Sequence, residues 1–322
     1  MLWQPVRGPH QPVSNSSCRS FSPTLVNVAC PLIKNARRQR TISHPVSLSG
    51  FSYWSGQDVT VEFHPAPENT GCTFVRVDLD SRTLIPAAVR NRIETPRRTT
   101  LASGDCSVEM VEHALSALAG LQIDNCFIHV SGSEMPAWDG SCRDAVQALC
   151  EAGILEQSSE RTTLVVDEAV RVGDDQSWIE ARPPATRMTT IAYELNYGPG
   201  PIGHQKVEFA FDPDRFREEI ASARTFLLES EAEAMVRAGI GKKATYENLL
   251  VFAEDGPLGN SLRFPDECAR HKILDIVGDL ALTGFDIHAD IVAYRSGHRQ
   301  NTELARQLCE VYDATCIQEH AV

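Results

Sequence analysis

The chain has 322 residues, of which 42% are hydrophobic and 23% charged, a composition typical of globular proteins with room for two domains. No apolar run reaches the roughly 18 residues that a membrane-spanning helix needs, which excludes an integral membrane protein. The formal net charge of −13 argues against general nucleic-acid binding, because phosphates require a basic surface.

The ten cysteines indicate a reducing compartment. They are too sparse for a disulfide scaffold, and their spacing contains no Cys-x-x-Cys pair and no zinc-finger pattern. We therefore expect reduced thiols in a cytoplasmic protein, several of them buried as small hydrophobic side chains.

The first 42 residues differ from the rest in charge. They contain six basic residues and no acidic residue, and they lack the continuous apolar stretch and cleavage site of a secretory signal. We expect a basic, disordered N-terminal arm over residues 1–42. An organelle transit peptide is the alternative that this composition leaves open.

From residue 43 the sequence predicts two successive runs of strands and helices, recognised by alternating and by helically spaced apolar residues. The elements predicted for the first domain, residues 43–157, are strands at 46–48, 59–63, 73–79 and 126–130 and helices at 107–121 and 142–152. The elements predicted for the second domain, residues 160–312, are strands at 163–166, 170–172, 178–181, 189–195, 207–211 and 287–293 and helices at 214–222, 229–238, 267–283 and 301–312.

Both halves run through strands, a helix, a strand and a further helix. The sequence therefore predicts an α+β protein of two similar domains. A linker near residues 156–162 joins them, and a C-terminal tail follows at residues 313–322.

The helix predicted at 267–283 carries a possible metal-binding stripe. His271, Asp275 and Asp279 are spaced four apart, so they stack along one face of the helix. A histidine and a carboxylate one turn apart can reach the same metal ion. For this stripe taken alone, a solvated helix surface remains the alternative.

Two further histidines stand in suggestive places. Glu112 and His113 are adjacent near the front of the first-domain helix and point about 100° apart, so one can bind a metal while the other addresses a water molecule. His298 follows a glycine just after a predicted buried strand, where functional loops often lie. Each position alone also fits an ordinary surface residue.

Together, five ordered motifs resemble one family, the UDP-3-O-acyl-N-acetylglucosamine deacetylases of lipid A synthesis (the LpxC family). The resemblance covers about residues 43–310. The motifs are VEHALSALAGLQIDN at 111–125, MPAWDGS at 135–141, SARTF at 222–226, HKILDIVGDL at 271–280 and SGHRQN at 296–301.

The resemblance implies a fold and an activity. The fold would be two layered α/β-sandwich domains, similar to domain 2 of ribosomal protein S5, with the active site between them. The activity would be that of a metal-dependent amidohydrolase acting on a linear amide. It would remove the N-acetyl group of UDP-3-O-(3-hydroxyacyl)-N-acetylglucosamine and release acetate, the committed step of lipid A biosynthesis.

The resemblance also implies residue roles. The ligands of Zn²⁺, with Fe²⁺ as the other ion left open, would be His113, His271 and Asp275. Glu112 would be the general base, and His298, oriented by Asp279, would protonate the leaving amine. The Thr225 hydroxyl would stabilise the oxyanion. The residues expected to bind the sugar end of the substrate are Lys272 and Phe226.

The family carries an insert in each domain, expected here at about 82–105 and 230–255, and the second insert shapes an apolar passage for the acyl chain. The apolar residues expected to form this passage, with plain core packing as the alternative for each, are Leu227, Leu228, Met235, Val236, Ile240, Leu249 and Leu250. The sequence departs from the family at the loop 49–56, where a Gly-Leu-His-Ser-Gly-like motif is replaced, and at Met110, where threonine is common. These departures keep open a deacetylase of a different acylated amino sugar.

A mononuclear iron oxygenase is a second alternative, because two histidines and one carboxylate also form a facial triad. The spacing of four residues on a predicted helix argues against it. We expect a monomer whose only partner is the UDP-linked acylated glucosamine substrate, with no nucleic acid bound. Transient contact with a membrane face is compatible with a lipid-bearing substrate.

Overall fold

The structure is a computed structural model that describes residues 32–80 and 82–320, with side chains described for 37–80 and 82–313. The strands of the first half are β1 (Leu32–Ile42), β2 (Val46–Phe51), β3 (Asp58–Pro65), β4 (Cys72–Arg76), β5 (Leu84–Pro86), β6 (Arg92–Ile93), β7 (Thr100–Ser103), β8 (Cys106–Glu109) and β9 (Cys126–Val130). Its helices are α1 (Glu112–Gly120) and α2 (Arg143–Glu151), with a 3₁₀ turn at Val89–Asn91.

The second half repeats this mixture of elements. Its strands are β10 (Ile154–Val165), β11 (Val170–Gly173), β12 (Trp178–Arg182), β13 (Thr190–Asn196), β14 (His204–Ala210), β15 (Phe226–Leu228), β16 (Leu250–Ala253), β17 (Gly256–Pro257), β18 (Asp286–His288) and β19 (Asp290–Tyr294). Its helices are α3 (Pro213–Glu219), α4 (Glu229–Arg237), α5 (Glu267–Leu280) and α6 (His298–His320), with a 3₁₀ turn at Ala281–Thr283. The predicted mixture of helices and sheets is confirmed.

Two five-stranded sheets share one topology. Their strand orders are β2-β3-β9-β4-β5 and β11-β12-β19-β13-β14. In each sheet the central strand pairs antiparallel with one neighbour and parallel with the other. The halves also each carry a small three-stranded sheet, β6-β7-β8 and β15-β16-β17.

The alternation of side chains explains why each large sheet has a buried face. Along β3, Val59, Val61 and Phe63 are buried, whereas the intervening residues face outward. Along β13, every second residue is buried in the same way. Since successive side chains point to opposite faces, each strand contributes one apolar row to the core.

Helices α1 and α5 pack against each other in the interior, and they position the site. Nearly every residue of both is buried, and on α5 the buried residues include the charged or polar Glu267, His271, Asp275 and Asp279. Gly278 permits the close approach, because a Cβ atom there would lie 2.1 Å from the carbonyl oxygen of Glu112. The hydroxyl of Ser116 donates to the carbonyl of Leu274 at 2.8 Å. The part of the chain that the structure describes is one compact unit.

The structure corrects the prediction of a disordered arm over residues 1–42. Leu32–Ile42 is strand β1, which pairs antiparallel with β10. One basic residue of this segment, Arg37, has two acidic partners, since its guanidinium lies 2.7 Å from both Asp124 and Asp286. Residues 1–31 lie outside the described part of the chain.

The predicted linker at 156–162 is also wrong, because these residues lie inside β10, held between β1 and β18. The helix predicted at 107–121 begins only at Glu112, since Cys106–Glu109 is a strand and Met110 adopts a positive φ of 60°. The predicted tail starting at 313 instead continues α6 to His320, because no glycine or proline ends the helix earlier. Among the described helices, none is long and apolar enough to span a membrane.

Candidate metal centre and its cavity

Three predicted ligands converge at the contact between α1 and α5. His113 comes from the first turn of α1, and His271 and Asp275 lie one turn apart on α5. Their ligand atoms all lie within 4.8 Å of one another, and all three residues are buried. Asp275 Oδ1 lies 3.8 Å from His113 Nε2 and 3.4 Å from His271 Nε2.

The hydrogen bonds around the cluster show whether it suits a cation. Within the described residues, the buried Asp275 Oδ1 has no hydrogen-bond partner, whereas Oδ2 accepts from Lys272 Nζ at 2.5 Å. His271 Nδ1 donates to the carbonyl of Ala223 at 3.1 Å, which leaves Nε2 with its lone pair facing Asp275. A buried carboxylate oxygen without a partner is costly. Two imidazoles and one carboxylate therefore fit a divalent metal ion, and an open coordination position remains.

The local electrostatics favour the ligating forms of these groups. Burial, reinforced by the neighbouring His271, lowers the pKa of His113 to about 3, so its imidazole is neutral. Burial also lowers the pKa of His271. Burial alone would raise the pKa of Asp275, but Lys272 and the nearby histidines lower it below its ordinary value. Metal ligands must be deprotonated, so the site is prepared for an ion.

Glu112 begins α1 beside this cluster and is 1% exposed. Its Oε2 accepts from the backbone N–H of Thr99 at 3.0 Å, and its Oε1 lies 3.8 Å from His298 Nε2. Burial raises the pKa of Glu112 to about 7, against the opposing effect of His298. A carboxyl group with a pKa in this range can accept and return a proton near neutral pH.

His298 begins α6 and is held by a buried carboxylate. Asp279, fully buried on α5, accepts from His298 Nδ1 and from Asn301 Nδ2, both at 2.9 Å. The other oxygen of Asp279 accepts from the hydroxyl of Thr99 at 2.6 Å. Burial alone would lower the pKa of His298, but Asp279, Asp275 and Glu112 raise it to about 9. His298 is therefore protonated near neutral pH, with Nε2 turned toward Glu112.

A cavity of about 490 Å³ opens above the metal centre. All predicted site residues line it except Asp279, which lies behind His298. Thr225 is fixed by its backbone, whose N–H donates to the carbonyl of Gly140 at 2.8 Å. Phe226 presents its ring edge-on to His271, with the two ring centroids 6.3 Å apart.

A second cavity of about 710 Å³, lined by α4 and the segment leading to β16, adjoins the first. Both cavities are lined by Arg97, Met110, Thr225 and Leu227. The residues predicted for an apolar passage that line the second cavity are Leu227, Met235, Val236, Ile240 and Leu249. Leu250, also predicted there, is instead a fully buried core residue, and Leu228 packs against the core.

The atypical loop 49–56 lies at this second cavity. Tyr53 and Trp54 line it, and the carboxylate of Glu134 accepts from the backbone N–H groups of Trp54 and Ser55 at 2.8 and 2.9 Å. The guanidinium of Arg98 lies over the Trp54 ring, 3.9 Å from its centroid. The departure at the loop 49–56 thus lies beside the apolar cavity, whereas the departure at Met110 lines both cavities.

Sequence reasoning missed two residues that hold the site together. Thr99 contacts both Glu112 and Asp279, but it lies outside every motif, and its position depends on how the chain enters β7. Asn301 was quoted within the SGHRQN motif without a role. Asn301 stands three residues after His298 at the start of a helix, a spacing that puts both side chains on one face and so within reach of the same partner, Asp279.

Three residues with strained backbone line the cavity above the metal centre, and sequence patterns did not reveal them. Arg97, Met110 and Arg295 line it and adopt positive φ values of 63°, 60° and 54°. For residues with large side chains, such conformations are uncommon and cluster at functional sites.

Known proteins are similar to this chain over the region that contains the five motifs. Residues 39–310 match the family described as LpxC, UDP-3-O-acyl N-acetylglycosamine deacetylase. A UDP-3-O-acyl-N-acetylglucosamine deacetylase of Anaeromyxobacter sp. is 38% identical over 271 residues, which is 84% of this chain and 88% of that protein. The enzyme of the same name from Thermosynechococcus vestitus is 36% identical over 281 residues, covering 87% of this chain and 96% of that protein.

A longer relative shows the same similarity over part of its length. The bifunctional enzyme LpxC/FabZ of Chlorobaculum tepidum is 38% identical over 306 residues, covering 85% of this chain. The match spans 65% of that bifunctional protein.

Proposed function

The chain belongs to the LpxC family of UDP-3-O-acyl-N-acetylglucosamine deacetylases, and from that premise we propose that it hydrolyses the N-acetyl group of UDP-3-O-(3-hydroxyacyl)-N-acetylglucosamine, releasing acetate. This reaction is the committed step of lipid A biosynthesis. The observation that carries the proposal is the buried cluster of His113, His271 and Asp275. Among the described residues, Asp275 Oδ1 has no hydrogen-bond partner, and it faces both imidazoles beneath a cavity.

We propose that the fold comprises two similar layered α/β-sandwich domains of the ribosomal protein S5 domain 2 type, over about residues 43–157 and 160–312, which meet within strand β10 and have no separate linker. The shared strand order of the two five-stranded sheets supports this division. The metal centre would then lie between the domains, with one ligand from α1 and two from α5.

We propose Zn²⁺ as the ion, with Fe²⁺ as the alternative that the same donor set accepts. When bound, such an ion lowers the pKa of water and polarises a carbonyl oxygen. Lys272 helps to prepare the site, because its ammonium group holds Oδ2 of Asp275 and leaves Oδ1 for the ion.

The first chemical step needs a base. We assign this role to Glu112, whose Oε1 takes the proton from the water that attacks the acetamide carbonyl. Its pKa of about 7 suits a group that must be ionised before the step and protonated after it. The backbone N–H of Thr99 fixes Oε2, so Oε1 remains free for the proton. The hydroxyl of Thr225, at the cavity wall, donates to the developing oxyanion.

The second step needs an acid, because an amine leaves an amide poorly unless its nitrogen is protonated. His298 supplies this proton from Nε2. Asp279 accepts from Nδ1 and raises the pKa of the imidazolium, so the proton is present near neutral pH. His298 Nε2 and Glu112 Oε1 lie 3.8 Å apart, so the acid and the base line the same part of the cavity and can both reach one amide group placed beside them.

The two cavities divide the substrate between them. Lys272 and Phe226 would contact the sugar end in the cavity above the metal centre. The acyl chain would occupy the adjoining cavity, whose lining as a whole is mostly apolar. A deacetylase of a different acylated amino sugar is the second candidate, favoured by the atypical loop 49–56 at that same cavity.

We also propose that the protein works as a cytoplasmic monomer that touches a membrane face transiently to collect its lipid-bearing substrate. The net negative charge of the chain and the open, largely apolar second cavity support this picture. Sedimentation of the purified protein checks the monomer, and a stable dimer would contradict it.

The decisive experiment measures acetate release from UDP-3-O-(3-hydroxyacyl)-N-acetylglucosamine together with metal analysis of the same sample. We expect about one zinc ion per chain and activity that stops with a chelator and returns with Zn²⁺. His271→Ala should lose metal sharply, and an unchanged zinc content there would place the site elsewhere. Bound metal without turnover would favour another acylated sugar.

A further inference from the structure

A second group of metal-binding side chains lies on the outward face of the first sheet and shares no residue with the centre between α1 and α5. Glu62 and His64 come from β3, and His129 comes from β9. The two strands pair antiparallel, with Glu62 directly opposite His129. Since His64 is two residues beyond Glu62, all three side chains share one face of the sheet.

The distances bring these side chains within reach of a single ion. His64 Nε2 lies 3.0 Å from Glu62 Oε2, and the rings of His64 and His129 have centroids 4.2 Å apart. The three ligand atoms all lie within 4.8 Å of one another. Ligands on one tetrahedral zinc ion are separated by about 3.3 Å, given bonds of about 2.0–2.1 Å. The third ligand therefore needs only a small rotation, which a half-exposed side chain can make.

We propose that Glu62, His64 and His129 form a second metal site, which binds a divalent transition-metal ion such as Zn²⁺ or Ni²⁺. Imidazole ligands select these ions over Mg²⁺ and Ca²⁺, which take oxygen ligands. Water would complete the coordination, because the cluster faces solvent. The ion would cross-link two neighbouring strands of the sheet, independently of the proposed catalytic activity.

The charges around Glu62, His64 and His129 affect how tightly this cluster can bind a metal ion. Burial and the adjacent His64 lower the pKa of His129, so its imidazole is neutral and can donate its lone pair. Glu62 supplies the negative charge that an ion needs. Arg82 opposes binding by adding a positive charge near His129. We also expect weaker binding than at the buried centre, because all three ligands of the second site keep contact with solvent, whereas those of the first are buried.

The second large sheet offers a natural control. His204 Nε2 lies 2.9 Å from Glu194 Oε1 across β14 and β13, which matches the His64–Glu62 pair. Among the described residues this pair belongs to no group of three metal-binding side chains, because no third histidine, cysteine or carboxylate ligand atom lies close enough to both partners. If a His–Glu ion pair were enough to bind the metal, His204→Ala would weaken binding as much as His64→Ala does. If the three-residue cluster binds it, only changes in the first sheet matter.

The test titrates Ni²⁺ into protein that already carries zinc in the buried centre, with calorimetry and elemental analysis. Zinc counted in the same sample separates displacement at the buried centre from binding on the sheet. We expect one additional ion per chain. We expect its Kd to rise roughly tenfold or more in His64→Ala and His129→Ala and to stay unchanged in His204→Ala, because each of the first two loses an imidazole ligand.

Thermal unfolding provides a second measurement that does not depend on the Kd. Added Ni²⁺ should raise the Tm of the starting protein and of His204→Ala, but not that of His129→Ala, because an ion that binds only the folded state stabilises it. His129→Asn replaces His129→Ala if the alanine variant fails to fold. The proposal is overturned if no additional ion binds, or if the additional ion binds equally well when both His64 and His129 are alanine.

Discussion

Substituting alanine for Gly278 should lower kcat and zinc binding, because the new methyl group would push α5 away from α1. The new Cβ would lie 2.1 Å from the carbonyl oxygen of Glu112, 2.9 Å from its carbonyl carbon and 3.2 Å from its Cα. These are backbone atoms, so no side-chain rotation can relieve the contact. Helices α1 and α5 must therefore move apart by about 1 Å to restore an ordinary contact distance.

Moving α1 and α5 apart should reduce kcat more than it reduces the free energy of unfolding. Overpacking of this kind costs about 1–3 kcal/mol. Replacing a helical glycine by alanine regains about 1 kcal/mol, so the net loss is at most about 2 kcal/mol. However, Glu112 and His113 move relative to His271 and Asp275, and a misplacement of about 1 Å can cost on the order of 10²-fold in rate. We expect that loss in kcat, together with weaker zinc binding.

The assay compares kcat, zinc content and Tm of Gly278→Ala with those of Gly120→Ala. A Cβ at Gly120 would lie 2.2 Å from the ring of Phe216, so this variant also suffers a clash on α1. Gly120 lies about 12 Å along the helix from Glu112, at 1.5 Å per residue, so its clash should lower the Tm while leaving the rate near normal. Normal kcat and zinc content in Gly278→Ala would refute the reasoning.

Three other predictions concern the base, its support and the N-terminal strand. Glu112→Ala should retain its zinc but lose on the order of 10²-fold or more in kcat, and loss of zinc in this variant would show that Glu112 is a ligand. Thr99→Val removes the hydroxyl that donates to buried Asp279 but keeps the backbone donor to Glu112. It should lower the free energy of unfolding by about 1–3 kcal/mol and reduce kcat, whereas Thr99→Ser should restore both; equal values for Val and Ser would contradict this role. Arg37→Ala should lower the free energy of unfolding in denaturant by about 2 kcal/mol, less than the 3–5 kcal/mol of a fully buried pair, because Arg161 also contacts Asp124. An unchanged midpoint would show that the ion pairs of Arg37 add no stability.

The sequence predicted those parts of the site that depend on local spacing. His271 and Asp275 are one helical turn apart, so their shared face follows from helix geometry alone. His113 lies far away in sequence, and only the five motifs taken together related it to that helix. Thr99 could not be predicted, since its two hydrogen bonds depend on how the entry to β7 meets α1 and α5.

The errors at element boundaries have a similar origin. The composition of residues 32–42 suggested a solvated arm, because the acidic partners of Arg37 are far away in sequence. Pairing between distant strands is specified by tertiary contacts and leaves little trace in local pattern. The start of α1 was missed because Met110 takes a left-handed conformation that glycine would have signalled and methionine does not.

The division of the metal ligands between α1 and α5 has a consequence for biosynthesis. His113 and His271 are 158 residues apart, so at roughly 5–20 residues per second the ribosome delivers the second histidine about 8–30 s after the first. Throughout that interval the nascent chain holds one imidazole beside Glu112 and none of the α5 ligands. Stable capture of an ion therefore waits until α5 has been made and has docked on α1, which makes metal loading one of the last events in the maturation of the protein.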